Sequence, residues 1–277
     1  AGPRAEDPPA QFLHLDVASL RNLEVLPTHT TTTLGASFSA AGQSGQPEDQ
    51  DKLLYGVHAP FVIRDATYQE SIGVLDLGFS ADGWLLTNFA GSMDNGYAVV
   101  VQPTDGKILV AGSFDGTTRN FGMARFNPDG SLDDTFDDDG RVVTDFSGTD
   151  EDAYAIALQP DGKIILAGTT SNIGTRNDFA VARYNPNGSL DTTFSGDGLV
   201  TTDVLGHVDY ASGVVVQADN KIVVAGYSWN GANYDFTLVR YDPGGGLDGG
   251  FSGDGKVSTD FLLSRSDYAY AIIRTGD

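Results

Sequence analysis

The feature that most constrains this chain is a repeat. Phe79, Phe136, Phe194 and Phe251 stand 57, 58 and 57 residues apart, and the segments around them recur with them. A chain built from near copies of one unit must fold as stacked units, because a single small unit cannot bury both of its faces. One shared segment runs Val99 to Gly112, with Gln102-Pro103-Thr104-Asp105-Gly106-Lys107 at its centre. It returns as Ile156 to Gly168 and again as Val214 to Gly226. Each copy is two runs rich in β-branched residues around a Pro/Asp/Gly/Asn turn, which predicts a β-hairpin.

A second segment follows, from Phe121 through Arg125-Phe126-Asn127-Pro128-Asp129-Gly130 to Asp133, with copies at Phe179 to Asp191 and Phe236 to Asp248. After it come the anchor phenylalanine and a short strand such as Arg141-Val142-Val143-Thr144-Asp145. Nothing in the array has helical periodicity, and Gly and Pro punctuate it too often for helices. Each period therefore holds four strands, the blade pattern of a β-propeller. The expected fold is all-β, with complete blades at 96–146, 153–203 and 210–261.

These motifs, Gln-Pro-Asp-Gly-Lys-Ile-(Ile/Leu)-x-Ala-Gly and Ala-Arg-(Tyr/Phe)-Asn-Pro-(Asp/Asn)-Gly-Ser-Leu-Asp-x-x-Phe, resemble the delta-60 repeat family, a bacterial propeller repeat. The likeness covers about residues 75–274 and weakens in the third copy, at Asp242-Pro243-Gly244-Gly245-Gly246-Leu247. It implies an exported bacterial protein, often part of a larger surface protein, and brings no catalytic residues with it.

The two ends of the array are incomplete. Residues 83–89 read as a fourth-type strand, and 268–274 as a first-type strand. Asp51-Lys52-Leu53-Leu54-Tyr55-Gly56 imitates Gly162 to Gly168, and Phe61-Val62-Ile63-Arg64 weakly imitates Phe179 to Arg183. One expectation is a four-bladed ring whose shared blade joins 268–274 to residues 51–89. The other is a fragment of a larger ring, with Thr31 to Ala40 as an ordinary strand. Domain 51–277 is thus the repeat domain. Residues 1–50 lack repeat character and form an extension or linker that contacts a partner or stays disordered.

Composition narrows the function classes. Sixteen basic and 38 acidic residues give a net charge of −22, which repels nucleic acid and anionic membrane surfaces. There is no cysteine, so disulfides and thiolate zinc sites are excluded. No apolar run approaches the roughly 18 residues that span a bilayer. The start, Ala1-Gly2-Pro3-Arg4, looks like a processed mature end, which predicts an extracellular or periplasmic protein.

Four constellations could carry chemistry. Asn127-x-Asp129-x-Ser131-x-Asp133 alternates oxygen ligands as a calcium loop does, but in the copies Asp129 becomes Asn187 and Gly244 while the following glycine persists, which favours turn chemistry. Asp137 and Asp139 are the better candidate calcium ligands, calcium being the one cofactor weighed. Arg125, Arg183 and Arg240 share a face with large apolar side chains and need anionic partners. Asp145, Asp203 and Asp260 are read as those partners, in one structural ion pair per blade, although Asp133, Asp191 and Asp248 recur as well. Tyr210, Tyr227, Trp229 and Tyr234 gather about the third blade's long loop, as a partner-contact cluster or as packing between blades. His14, His29, His58 and His207 do not recur and have no metal-ligand spacing, and no Gly-x-Ser-x-Gly elbow occurs.

Three function classes follow. The first is a non-catalytic structural or interaction module with a protein partner, either within a surface adhesin or as an accessory subunit of a membrane complex. The others are a calcium- or glycan-binding module, and a hydrolase with its site on the ring's central axis.

Overall fold

The computed structural model describes residues 75–81, 83–88, 94–146, 150–171, 176–261 and 265–275. The chain divides into two units, Ala1–Trp84 and Leu85–Asp277. His14, His29, His58, the 1–50 extension and the strand candidates near 31–40 and 51–64 lie outside the described residues, and with them the pairing expected of a closed ring.

The second unit is a stack of three four-stranded antiparallel sheets, each made from consecutive strands. The first holds β1 (Asp94–Val101), β2 (Ile108–Asp115), β3 (Arg119–Phe126) and β4 (Arg141–Thr144). The second holds β5 (Glu151–Leu158), β6 (Ile164–Ser171), β7 (Asn177–Tyr184) and β8 (Leu199–Thr202). The third holds β9 (Asp209–Val216), β10 (Ile222–Trp229), β11 (Tyr234–Tyr241) and β12 (Lys256–Thr259). These are the three complete blades the period predicts.

The hairpin turns behave as their sequences require. Gln102, Gln159 and Gln217 N–H groups bond the carbonyls of Lys107, Lys163 and Lys221. Gly106 and Gly162 take left-handed φ values of 73° and 85°, and in the third copy Asn220 takes the same place at 62°. Asparagine is among the few side chains that tolerate it. Each first strand also carries a bulge, at Tyr97, Tyr154 and Ser212. The bulge explains the invariant Ala-Gly at the middle of each second strand. A Cβ on Gly112, Gly168 or Gly226 would overlap the carbonyl oxygen of Asn95, Asp152 or Tyr210.

Burial comes from stacking. One apolar core, with Leu109, Phe121, Met123, Ile164, Leu166 and Tyr184, lies between the first and second blades. A second, with Ile165, Phe179, Val181, Val214, Val224 and Tyr241, lies between the second and third. Residues of opposite parity on β6 enter the two cores, as the alternation of a pleated strand requires. A hydroxyl pair crosses each core: Tyr184 donates to Thr144 at 2.7 Å, and Thr202 and Tyr241 are 2.7 Å apart.

The ends carry fragments of the same unit. Residues 83–88 and 265–275, where a fourth-type and a first-type strand are expected from the repeat, hold no strand, but 265–275 lie against the third blade. Asp267 N–H bonds the Tyr234 carbonyl at 2.7 Å, Ser212 Oγ donates to the Ala269 carbonyl, and Arg274 reaches the Val216 carbonyl. In the first unit, Phe79 N–H bonds the Asp76 carbonyl at 2.9 Å and Gly83 N–H the Phe79 carbonyl at 2.7 Å. The turns at Asp191-Phe194-Gly198 repeat this at 2.9 and 2.7 Å.

Candidate functional site

Three constellations recur in or sit on the blades. The first is the arginine. Arg125, Arg183 and Arg240 each direct Nε at a carboxylate, and the acid is the one eight residues on: Asp133 at 2.6 Å, Asp191 at 2.7 Å and Asp248 at 2.7 Å. The ion pair in each blade is therefore present, but its acid is not the strand-end Asp145, Asp203 or Asp260. The chain folds back after the Asn-Pro turn, so that Phe126 bridges Leu132 and the Asp133 N–H bonds the Arg125 carbonyl. That return brings the nearer aspartate under the guanidinium, whereas the end of the fourth strand lies beyond its reach.

The site holds more than two residues. Lys107, Lys163 and Lys221 reach the same carboxylates at 2.7, 3.0 and 3.2 Å. Beneath each guanidinium lies the anchor phenylalanine: Arg125 Cζ is 4.3 Å from the Phe136 ring centre, and Arg183 and Arg240 are 4.6 Å from Phe194 and Phe251. The 57-residue spacing of these phenylalanines is thus the spacing of cation–π platforms. Burial opposes ionisation of Asp133, but hydrogen bonds from Lys107, Thr135 and Arg125 outweigh it and hold the carboxyl well below the usual range. Asp191 is held down in the same way by Thr193, Lys163 and Arg183 against the cost of burial.

The next blade completes the site. Arg125 Nη1 donates to the Pro186 carbonyl at 2.6 Å, and Arg183 Nη1 to the Pro243 carbonyl. Asp137 N–H bonds the Asn187 carbonyl at 2.8 Å, and Ser195 N–H the Gly244 carbonyl at 2.7 Å. Gly188 and Gly245, at φ 98° and 94°, press on Phe136 and Phe194, and a Cβ on either would come within about 3 Å of those rings or the residue after them. The persistence of this glycine, while its neighbour changes from Asp129 to Asn187 to Gly244, has its reason here. Asp129 and Asn187 only cap their own turns, through Ser131 and Ser189.

Asp137 and Asp139, the candidate calcium ligands, sit on the turn after the platform. Asp139 accepts the Arg141 N–H at 2.8 Å and lies 3.8 Å from its guanidinium. Burial, then the charges of Asp138 and Asp139, raise the Asp137 carboxyl. Among the described residues the carboxylates that converge as a group are others: oxygens of Asp178, Asp203 and Asp209 all lie within 4.8 Å of one another.

The third constellation is aromatic. Tyr210, Tyr227, Trp229 and Tyr234 do converge. Tyr227 stands 5.1 Å from Tyr210 and 5.4 Å from Tyr234, and Trp229 stands 5.1 Å from Tyr234. Two further rings join them, Tyr268 at 4.8 Å from Tyr227 and Tyr270 at 5.9 Å from Tyr268. Sequence reasoning passed over these two, although Tyr268-Ala269-Tyr270 aligns with Tyr210-Ala211-Ser212 and so with the first strand of a blade. Tyr270 is 71 % exposed and Tyr268 41 %.

The sequence matches the family model described as a domain of unknown function (DUF5122) beta-propeller at residues 104–136, 159–194 and 217–251. Each match spans the hairpin turn, the arginine strand and the anchor phenylalanine of one blade. The array is a β-propeller repeat. No curated protein matches the chain. Among the described residues no helix is long and apolar enough to cross a membrane.

Proposed function

We propose that the chain is a non-catalytic interaction module of an exported bacterial protein, serving as scaffold or accessory subunit in a surface or periplasmic assembly. The observation that carries this reading is the aromatic cluster. Six rings from β9, β10, β11 and residues 268–270 form one patch, and the outermost are solvent-facing tyrosines. Tyr and Trp offer large contact area at small entropic cost and dominate protein interfaces. The recurring arginines, by contrast, are spent on architecture, since each is tied to its own blade. The resemblance to the delta-60 repeat supports export and a bacterial source. A charge of −22 favours a protein partner over nucleic acid.

The test is purification of the protein from its source cells under mild conditions, beside a Tyr268→Ser/Tyr270→Ser variant expressed in its place. The expected result is a stoichiometric protein partner that is lost from the variant. A wild-type protein that emerges as a bare monomer overturns the reading. Saturable binding of an oligosaccharide that requires Trp229 would replace it with the glycan-binding alternative.

A further inference from the structure

At the corner where the second blade meets the third, side-chain oxygens from several strands converge. Asp209 opens β9 and is fully buried. Its Oδ2 accepts the Val204 N–H at 2.7 Å, while its Oδ1, also buried, has no hydrogen-bond partner. Asp209 pairs in register with Ser228 on β10, which pairs in turn with Asp235 on β11. Ser228 Oγ is fully buried and unpartnered, and so is Asp235 Oδ1. Three neighbouring strands thus carry a row of unmet oxygens. Their parity is that of Ala211, Val224 and Val239, so the row faces the second blade. From that blade come Asp178 and Asp203, whose carboxylate oxygens lie within 4.8 Å of each other and of Asp209.

The corner between the first and second blades is built from the same positions and shows what a self-sufficient version looks like. There Glu151 replaces Asp209. Its two oxygens accept the Phe146 N–H at 2.9 and 3.0 Å, and Oε1 also takes the Thr170 hydroxyl at 3.3 Å. Asn120 stands where Asp178 stands, so one negative charge is gone. At the second corner the side chain is one methylene shorter, the serine hydroxyl completes no bond, and the third carboxylate is present. Lys256 Nζ donates to the Asp203 carbonyl at 2.6 Å, and the Gly206 N–H donates to Asp203 Oδ1.

We infer that this corner is a divalent cation site that takes calcium, with Asp178, Asp203 and Asp209 as its carboxylate ligands and Ser228 Oγ beside it. The donor set is all oxygen and anionic, which suits a hard cation. Calcium takes six to eight oxygens at about 2.3–2.6 Å in flexible geometry, whereas magnesium demands a near-ideal octahedron, keeps several waters and is seldom held by protein carboxylates alone. The ion would tie β7, the end of β8 and β9 together, and so would bind two blades to each other. The inference is independent of the aromatic patch and of the proposed function.

The test uses the full chain, stripped with EDTA and titrated with calcium chloride in a calorimeter, with melting followed in parallel. The wild type is expected to bind calcium with a melting temperature that rises and saturates, and magnesium is expected to do less. Asp178→Asn copies the asparagine of the first corner and should fold. Altering a metal's supporting residues alone costs about 10–100-fold in affinity, so Asp178→Asn and Asp209→Asn should each lose at least that much. Asp145→Asn, at the equivalent place in the first corner, should bind as the wild type does. No calcium response in the wild type overturns the inference. So does a response that survives Asp178→Asn and Asp209→Asn, or one abolished instead by Asp137→Asn/Asp139→Asn.

Discussion

The arginine of the second blade and the arginine of the third sit in copies of one sequence, yet their surroundings differ. Arg183 is tied to the Asp191 carboxylate that it shares with Lys163 of its own blade, stacked on Phe194, and closed over by the Pro243 carbonyl of the next turn. Its side chain and that of Asp191 are each 5 % exposed. Arg240 has the same acid and the same ring, but it borders an open groove of 550 Å³ with Phe251, Ile272 and Arg274, and its side chain is 18 % exposed. Among the described residues, the turn that closes over Arg183 has no counterpart over Arg240. The motif alone makes the pair, and the neighbour makes it buried.

That comparison sets the expected order of effects. Arg183→Leu should be the most damaging change, because it leaves Asp191 buried without its guanidinium. Breaking one side of a buried pair costs about 3–5 kcal/mol. Arg240→Leu should cost clearly less, since water screens its acid. Urea denaturation of the two variants measures both, and equal losses would break the comparison. The same pairs govern acid stability. Asp133 and Asp191 have native carboxyl groups well below their unfolded value of 3.8. Their contribution is complete above that value and is lost as pH falls beneath it. The melting temperature should therefore drop between about pH 4 and pH 2, less steeply in Arg183→Leu.

Next in size is Gly188→Ala against Gly253→Ala. Both glycines are left-handed, at φ 98° and 95°, and a left-handed alanine costs roughly 1–2 kcal/mol in itself. A Cβ on Gly253 meets nothing within 4 Å, whereas one on Gly188 meets Phe136 and Asp137 of the preceding blade. Gly188→Ala should exceed Gly253→Ala, and the excess reports the docking of one blade's turn on another. The smallest effect is expected of Tyr184→Phe, which leaves the ring and removes the hydroxyl bond to Thr144. Its cost should be about 1 kcal/mol by the same denaturation, and the first blade already carries Phe126 at that place.

Much of this was legible in the sequence. The hairpins, the arginine strand and the turn glycines follow from β-branched runs, alternation and left-handed dihedrals, all of which are local. The pairing of arginine with acid was half legible. Alternation put Arg183 on the buried face and so demanded a carboxylate, but Asp191 and Asp203 recur with equal regularity, and periodicity cannot measure which one a loop carries back. Tyr268 and Tyr270 were hidden for a different reason. They align with the first strand of a blade but form no strand in the structure, so the repeat framed them as a fragment and not as part of the Tyr227 cluster. The acidic corner was hardest to see, because Asp178, Asp203 and Asp209 come from three strands in two blades, and only the stacking brings them together.

The carbonyl that each turn lends to the arginine behind it gives the array a direction. Among the described blades, each is a plug for its predecessor and a socket for its successor, so the two faces of a blade are chemically unlike. A duplicated blade would inherit both halves of the joint and slot in at any junction with no other change. Loss of a blade would leave one unfilled socket, always on the same side. Fraying is then expected to run backward from that socket, one arginine at a time.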